Sequence, residues 1–256
     1  MQNGLCNASQ TFQRYMNRIF GDLDFVVCFI DDICIASSDA VEHKEHVRIV
    51  FKRLQDNGLV INLEKCRFAQ QQVTFLGYLI NSQGILPLPE RVKAIHDYAI
   101  PVTVKELRRF LALVNGYKRF IPFATHQQAE LRSLNPGNKK NDNRSMNRTA
   151  KAKEAFDCSR CSLSHATLLH FPISGMSLGL MVDASNTAAG AVLQQFVSGE
   201  WKPLGFYSEK FSSAQQKYST FGRELTAMKI AVKYFRHLLE GRKFTIYTDH
   251  NPLTHA

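Results

Sequence analysis

Residues 25–36 read Phe25-Val26-Val27-Cys28-Phe29-Ile30-Asp31-Asp32-Ile33-Cys34-Ile35-Ala36, two adjacent aspartates inside an apolar, β-favouring run. A buried carboxylate without a partner is costly, and two side by side also repel. The stretch therefore predicts a strand–turn–strand hairpin with Asp31 and Asp32 at its tip, facing solvent or a cation. A divalent ion such as Mg²⁺, which takes hard oxygen ligands, reverses the penalty. Taken alone, the dipeptide reads as an ordinary surface turn, since Asp is a common turn residue. The rest of the chain shifts that balance toward the cation.

Working outward, Leu5, Ala8, Phe12, Tyr15, Met16 and Ile19 recur at helical spacing and predict a helix over 4–20. Beyond the hairpin, Val47, Val50, Phe51 and Leu54 predict a second helix that Asn57-Gly58 stops. Leu59–Leu63 and Val73–Ile80 read as short strands, with a turn at 81–84. Pro89 opens a helix to about Tyr98, and Pro101 breaks it. Thr103 with Glu106 three positions on predicts a capping box. The helix that follows sets Leu107, Phe110, Leu111 and Val114 on one face and Lys105, Arg108 and Arg109 on the other, with Lys118 and Arg119 just beyond. Residues 133–151 are polar and poor in apolar side chains, the best candidate for a linker.

The chain has 256 residues, 45% of them hydrophobic, and a formal charge of +10. That is enough apolar material for packed cores and excludes a disordered polymer. The charge is uneven: net −1 over residues 1–83, +9 over 84–153 and +2 over 154–256. A basic middle between two acidic sites points to a polyanion such as nucleic acid. No run is long enough to span a bilayer, and Arg14 and Arg18 interrupt the N-terminal stretch where a signal core would lie. The six cysteines are scattered and read as free thiols of a reducing compartment. Cys158, Cys161, His165 and His170 have the spacing of zinc ligands. The competing reading is an amphipathic helix over 152–169 with Ala155, Phe156, Ser159 and Leu163 on its core face and the cysteines as small, core-compatible residues.

The last hundred residues alternate as β-β-β-α-β: Leu178–Val182, Ala188–Val197, Trp201–Tyr207, a helix over 221–239 with Leu225, Met228, Val232, Phe235 and Leu239 on one side, then Phe244–Thr248. Asp183 ends the first strand, Glu224 opens the helix, and Asp249 ends the last strand. Carboxylates at strand ends with one on a packed helix can converge on a pair of Mg²⁺ ions that activate a water for phosphodiester cleavage. Singly, each acid has a plain alternative: a favourable charge at a helix N-terminus for Glu224, and loop solvation for the two aspartates.

Several stretches, in order, resemble the polymerase–ribonuclease H part of gypsy-type LTR retrotransposon polyproteins. Phe29-Ile30-Asp31-Asp32 resembles the reverse transcriptase Tyr-x-Asp-Asp box. Gly4-Leu5-Cys6-Asn7-Ala8-Ser9-Gln10-Thr11-Phe12-Gln13-Arg14 resembles the helix that lies against the templating base pair. Asn57-Gly58-Leu59 with Asn62-Leu63-Glu64-Lys65-Cys66 resembles the next palm motif, Phe75-Leu76-Gly77-Tyr78 the primer-grip hairpin, and Glu106 through Ile121 the helices after the palm. Asp183-Ala184-Ser185, Gly190-Ala191-Val192-Leu193, Arg223-Glu224-Leu225 and Thr248-Asp249-His250 resemble the ribonuclease H-like domain.

The resemblance implies an α+β/α/β multidomain chain. Its parts are a partial reverse transcriptase palm (1–83), a basic helical thumb and linker (84–150), and an incomplete ribonuclease H-like mixed-sheet domain (151–256). It implies that Asp31 and Asp32 are polymerase metal ligands and that Asp183, Glu224 and Asp249 hold the metals, Mg²⁺ or Mn²⁺, that cut RNA in RNA–DNA hybrids. It assigns Asn7, Gln13 and Lys65 to nucleotide or template, and the Lys105, Arg108, Arg109, Lys118 and Arg119 face to nucleic acid. Implied partners are an RNA–DNA hybrid or primer-template, deoxynucleoside triphosphates and the rest of the polyprotein, with no membrane. The implied setting is intracellular, in a cytoplasmic particle or the nucleus. The family carries one more palm aspartate upstream of the Gly4 helix and a fourth acid beyond Asp249, and Phe29 stands where Tyr is usual. The isolated chain is therefore expected to have little or no polymerase activity. The alternative is a non-catalytic, nucleic-acid-binding remnant of a retroelement.

Overall fold

The structure, a computed structural model, describes residues 6–134, 142–146 and 149–250. The chain divides between Leu76 and Gly77 into two compact units.

In the first unit, helix α1 (Ala8–Phe20) and helix α2 (Ala40–Asp56) flank the hairpin of β1 (Val26–Phe29) and β2 (Asp32–Ile35). Met16, Ile19 and Phe20 of α1 meet Val50 and Leu54 of α2 in a small core that also takes Val26, Ile33 and Ile35. Asp39 caps α2 by accepting from the Val41 and Glu42 amides at 2.8 and 2.9 Å. Arg53 reaches back to pair with Asp22 and to donate to the Ile19 carbonyl at 2.6 Å, which ties α2 to the end of α1. Two expectations change here. Leu59–Leu63 is not a strand: Val60 is 96% exposed, and the segment runs into a 3-10 turn, Leu63–Lys65, capped by the Asn62 side chain, which accepts from the Glu64 amide. The strand expected over 73–80 is broken at Leu76 and Gly77, whose φ values of 50° and 83° turn the chain; strand β3 (Gln72–Phe75) ends before them.

The second unit opens with a hairpin, β4 (Tyr78–Asn81) and β5 (Gly84–Pro87), closed by the Asn81 carboxamide, which accepts from the Gln83 and Gly84 amides. Among the described residues five α-helices follow: α3 (Pro89–His96), α4 (Val104–Gly116), α5 (Ala124–Gln127), α6 (Ala129–Ser133) and α7 (Ala150–Ser164). The Thr103–Glu106 capping box is formed in both directions. Ile95, Leu107, Phe110, Leu111, Val114, Phe156 and Leu163 make one core from these helices, with the Phe110 and Phe156 rings 4.5 Å apart. Burying Ala152, Phe156, Ser159 and Leu163 turns the other side of α7 outward, so Cys158 and Cys161 are exposed rather than in the core.

A four-stranded sheet completes the unit in the order β8-β7-β6-β9, from β6 (Leu178–Ala184), β7 (Ala188–Val197), β8 (Glu200–Lys210) and β9 (Phe244–Tyr247). The first three pair antiparallel and β9 lies parallel to β6. Helix α8 (Thr220–Tyr234), followed by the turn α9 (Arg236–Leu239), carries the chain back between them. Leu180, Val182, Ala191 and Leu193 pack against Ala227, Ala231, Phe235 and Leu239. The buried stripe of α8 is Glu224, Ala227 and Ala231, so Leu225, expected in the core, is 50% exposed. Alanines let the helix approach the sheet closely, and that approach buries Glu224. Near β8, Thr125 at the start of α5 donates from its amide to Ser208 Oγ and from its hydroxyl to the Ser208 carbonyl, both at 2.9 Å and both buried. Among the described residues no helix is long and apolar enough to cross a membrane.

Phe110 is fully buried at the centre of the helical core. Phe110→Ala is expected to destabilise the second unit by about 3–5 kcal/mol, read from the midpoint of denaturant unfolding.

Candidate metal centre

Parallel pairing sets Met181 of β6 opposite Tyr247 of β9, so the chain segments just beyond both residues, carrying Asp183 and Asp249, emerge at the same edge of the sheet. Glu224 faces them from the buried side of α8. One ligand oxygen from each of Asp183, Glu224 and Asp249 lies within 4.8 Å of the others. The two aspartates are exposed, whereas Glu224 is only 4% exposed. The Glu224 carboxylate accepts from the Ala184 backbone amide, while its Oε2 has no hydrogen-bond partner. Burial pushes its pKa above the ordinary 4.5, and the charges of Asp183 and then Asp249 push it further; the Ala184 amide and His250 act the other way.

A buried oxygen left without a donor, facing two more carboxylates, fits a hard divalent cation, which suits oxygen ligands and supplies the missing counter-charge. Neighbours hold the three acids in place. Ser185 accepts from the Thr187 and Ala188 amides, which tightens the loop after Asp183. Arg223 binds the Asn186 side chain at 2.9 Å and the Tyr218 carbonyl at 2.9 Å, linking that loop to the start of α8. The His250 ring, beside Asp249, packs edge-on to Phe221.

Asp31 and Asp32 lie where expected, exposed at the hairpin tip with Phe29 opposite Asp32. Ile30, in the turn, has a φ of 53°, a costly conformation for a β-branched residue. Gln13 holds it there: its Oε1 accepts from the Ile30 amide at 2.6 Å and its Nε2 donates to the Cys28 carbonyl at 3.0 Å. Gln13, assigned by resemblance to nucleotide or template, is thus engaged with the backbone that presents the aspartates. Burial raises the Cys28 thiol pKa, and Asp32 and Asp31 add to it. Among the described residues Asp31 and Asp32 belong to no group of three metal-ligating side chains. Asn7 caps α1 without a side-chain bond, and Lys65 sits exposed in its 3-10 turn without an ion pair to either aspartate.

Lys105, Arg108 and Arg109 lie on α4, and Lys118 and Arg119 in the turn after it, where Arg119 lies 5.7 Å from the Phe120 ring centre. Part of this face is already matched by charge: Asp142 lies in the field of Arg108 and is gripped by Arg144, chiefly through hydrogen bonds, which hold its pKa down at about 2. His165 Nδ1 lies 3.0 Å from the Cys161 carbonyl, and no group of zinc-type ligands converges on α7 among the described residues.

Residues 1–80 match the family described as reverse transcriptase (RNA-dependent DNA polymerase), and residues 176–256 match the RNase H-like domain found in reverse transcriptase. The chain thus carries a segment of the reverse transcriptase kind and an RNase H-like segment of the kind found in reverse transcriptases. It is 37% identical over 255 residues to the retrovirus-related Pol polyprotein from transposon 297 of Drosophila melanogaster, covering 99% of this chain and 23% of that protein. It is also 37% identical over 258 residues to the transposon Tf2-3 polyprotein of Schizosaccharomyces pombe, covering 99% of this chain and 19% of that one. The chain thus spans about a fifth of the curated relatives it matches. Its fold matches the foamy viral protease-reverse transcriptase solved with an RNA/DNA hybrid, with a TM-score of 0.83 at 23% identity over 98% of this chain and 33% of that chain. The same viral protein solved with dsDNA gives 0.82 at 23% identity, covering 100% of this chain and 53% of that one.

Because Glu224 binds its proton more tightly in the fold than in the unfolded chain, its contribution to stability is complete below about pH 4.5 and lost as pH rises through the raised value. Millimolar Mg²⁺ should therefore raise Tm by about 2–4 °C near pH 8 and by less near pH 5. Glu224→Gln should raise the ion-free Tm near pH 8 and remove the Mg²⁺ gain. A Mg²⁺ gain that Glu224→Gln leaves intact would place the ion elsewhere.

Proposed function

We propose that the second unit is a divalent-metal-dependent hydrolase of the RNA strand in RNA–DNA hybrids, and that the observation carrying this reading is the unpartnered Oε2 of buried Glu224 between Asp183 and Asp249. The three carboxylates hold Mg²⁺ or Mn²⁺. When bound, such ions polarise a water and neutralise charge on the departing oxygen. Within the chain, Glu224 supplies a ligand fixed by burial and by the Ala184 amide. Asp183 and Asp249 supply exposed ligands on the side open to substrate. Arg223 keeps the Ser185–Thr187 loop, and with it Asp183, in register with α8. The basic face of α4 and its following turn offers Lys105, Arg109, Lys118 and Arg119 to phosphates, giving a binding component that weakens with salt.

For the first unit we propose that Asp31 and Asp32 serve nucleotidyl transfer from a deoxynucleoside triphosphate to a primer 3′-hydroxyl within the longer polyprotein. The described residues give these two carboxylates no third ligand, so the isolated chain is expected to extend primers poorly or not at all. The second reading, nucleic-acid binding without turnover, is favoured by the same basic face.

A labelled RNA–DNA hybrid in Mg²⁺ separates these readings. The chain is expected to cut the RNA strand, with Asp183→Asn slowing the reaction at least ~100-fold while hybrid binding persists. Binding without cutting by either protein would leave the second reading standing.

A further inference from the structure

Beside Asp183, the one of the three carboxylates that lines it, lies a cleft of about 350 Å³ whose other walls the hydrolytic reading leaves unused. Its floor is β7 at Gly190, directly opposite Asp183 on β6 and Ser208 on β8. Residues opposite one another across a sheet share a face, so the cleft and the Asp183 side chain lie on the same face. One wall is the segment Phe123–Gln127, latched to the sheet by the buried Thr125–Ser208 pair. Phe123 has a φ of 52°, rare and strained for an aromatic residue, and its side chain is 52% exposed. Its ring stands over Gly190, where a Cβ would come within 2.8 Å of a ring carbon, so this position has room only for glycine beneath the ring. The strained turn thus holds a large apolar ring half in water at the rim of an acidic centre.

Of the polar groups lining the cleft, three are committed, Ser208 through its pairing with Thr125. Gln127 accepts from Ser162 Oγ at 2.7 Å, and Ser185 accepts from two backbone amides and donates to the Ala188 carbonyl. That leaves the Phe123 ring, the exposed His126 imidazole and the Asp183 carboxylate to meet a ligand. The volume falls within the range of small-ligand sites. Aromatic faces take up nucleobases or sugars without sequence preference. An imidazole N–H donates to a phosphate oxygen whether the ring is neutral or protonated.

We propose that this cleft binds a single nucleotide, its base and sugar against Phe123 and its phosphate hydrogen-bonded by His126, so that it holds a 5′-phosphorylated strand end next to the metal centre. The proposal rests on the hydrolytic reading for its biological sense, because hydrolysis that frees a 3′-oxygen creates such an end beside Asp183. It does not rest on that reading for its test.

Adenosine 5′-monophosphate titrated into the isotopically labelled chain, in EDTA, is expected to shift the backbone amide signals of Ala188 and Gly190 with a saturating, roughly millimolar Kd. Phe123→Asn, chosen because Asn tolerates the left-handed conformation, and His126→Gln should each weaken binding at least about threefold. No saturable shift at Gly190 in the parent chain, or equal affinity in the parent and both variants, overturns the proposal. Should Phe123→Asn lose its fold by circular dichroism, His126→Gln, at an exposed position, decides alone. The titration involves neither cation nor cleavage, so the two readings fail separately. A chain that cuts hybrids but shows no shift refutes the cleft, and one that binds the nucleotide but does not cut refutes the hydrolytic centre.

Discussion

The second unit is organised around a repulsion that the Ala184 amide and His250 relieve only in part. Three carboxylate oxygens gather within 4.8 Å, and one belongs to a glutamate almost wholly removed from water. Bringing like charges together in a poorly solvated place is unfavourable, and the raised pKa of Glu224 is the sign of it. Two packing decisions impose the arrangement. The parallel pairing of β9 with β6 brings Asp183 and Asp249 to one edge, and the Ala227–Ala231 stripe lets α8 lie close enough to carry Glu224 inward. Folding thus does work against the electrostatics, which a divalent cation held there would recover.

A comparable tension, on a smaller scale, runs through the first unit. The Asp31-Asp32 hairpin turns through Ile30, a residue ill-suited to positive φ, and is held by both ends of the Gln13 carboxamide. Local strain at a turn that presents charged side chains persists only where the surroundings fix it. Here one side chain from α1 does so. The two units therefore share a plan in which acidic groups are presented by backbone that other residues must hold.

Much of this was legible before the structure. The apolar run around Asp31-Asp32, the Thr103–Glu106 box and the β-β-β-α-β order are local patterns, fixed by alternation, capping and turn chemistry, and they lie where the sequence puts them. Asp183 and Asp249 could be named because they fall at or just past strand ends, whereas Glu224, expected in the first turn of its helix, is the fifth residue of α8 and lies beyond that turn. What the sequence hid is set by tertiary contact. Met228, Val232, Phe235 and Leu239 join the core as their spacing predicts, but Leu225 does not, because the closest approach of α8 to the sheet is made by Ala227 and Ala231, which a search for large apolar residues passes over. The cysteines of α7 point outward because Phe156 and Leu163 point in. Leu59–Leu63 has strand-forming composition but pairs with nothing. The placement of Phe123 and His126 beside Asp183 joins residues some sixty positions apart, through tertiary contacts such as Thr125–Ser208 and Phe123–Gly190.

The central claim is that Asp183, Glu224 and Asp249 form one cation site. Mn²⁺ soaked into crystals of the chain and located by its anomalous scattering tests it most directly. The account predicts a peak among these three carboxylates, within about 2.0–2.3 Å of the Glu224 oxygen that has no protein partner. Mn²⁺ bound elsewhere on the chain, with Glu224 remote from it, would contradict the account.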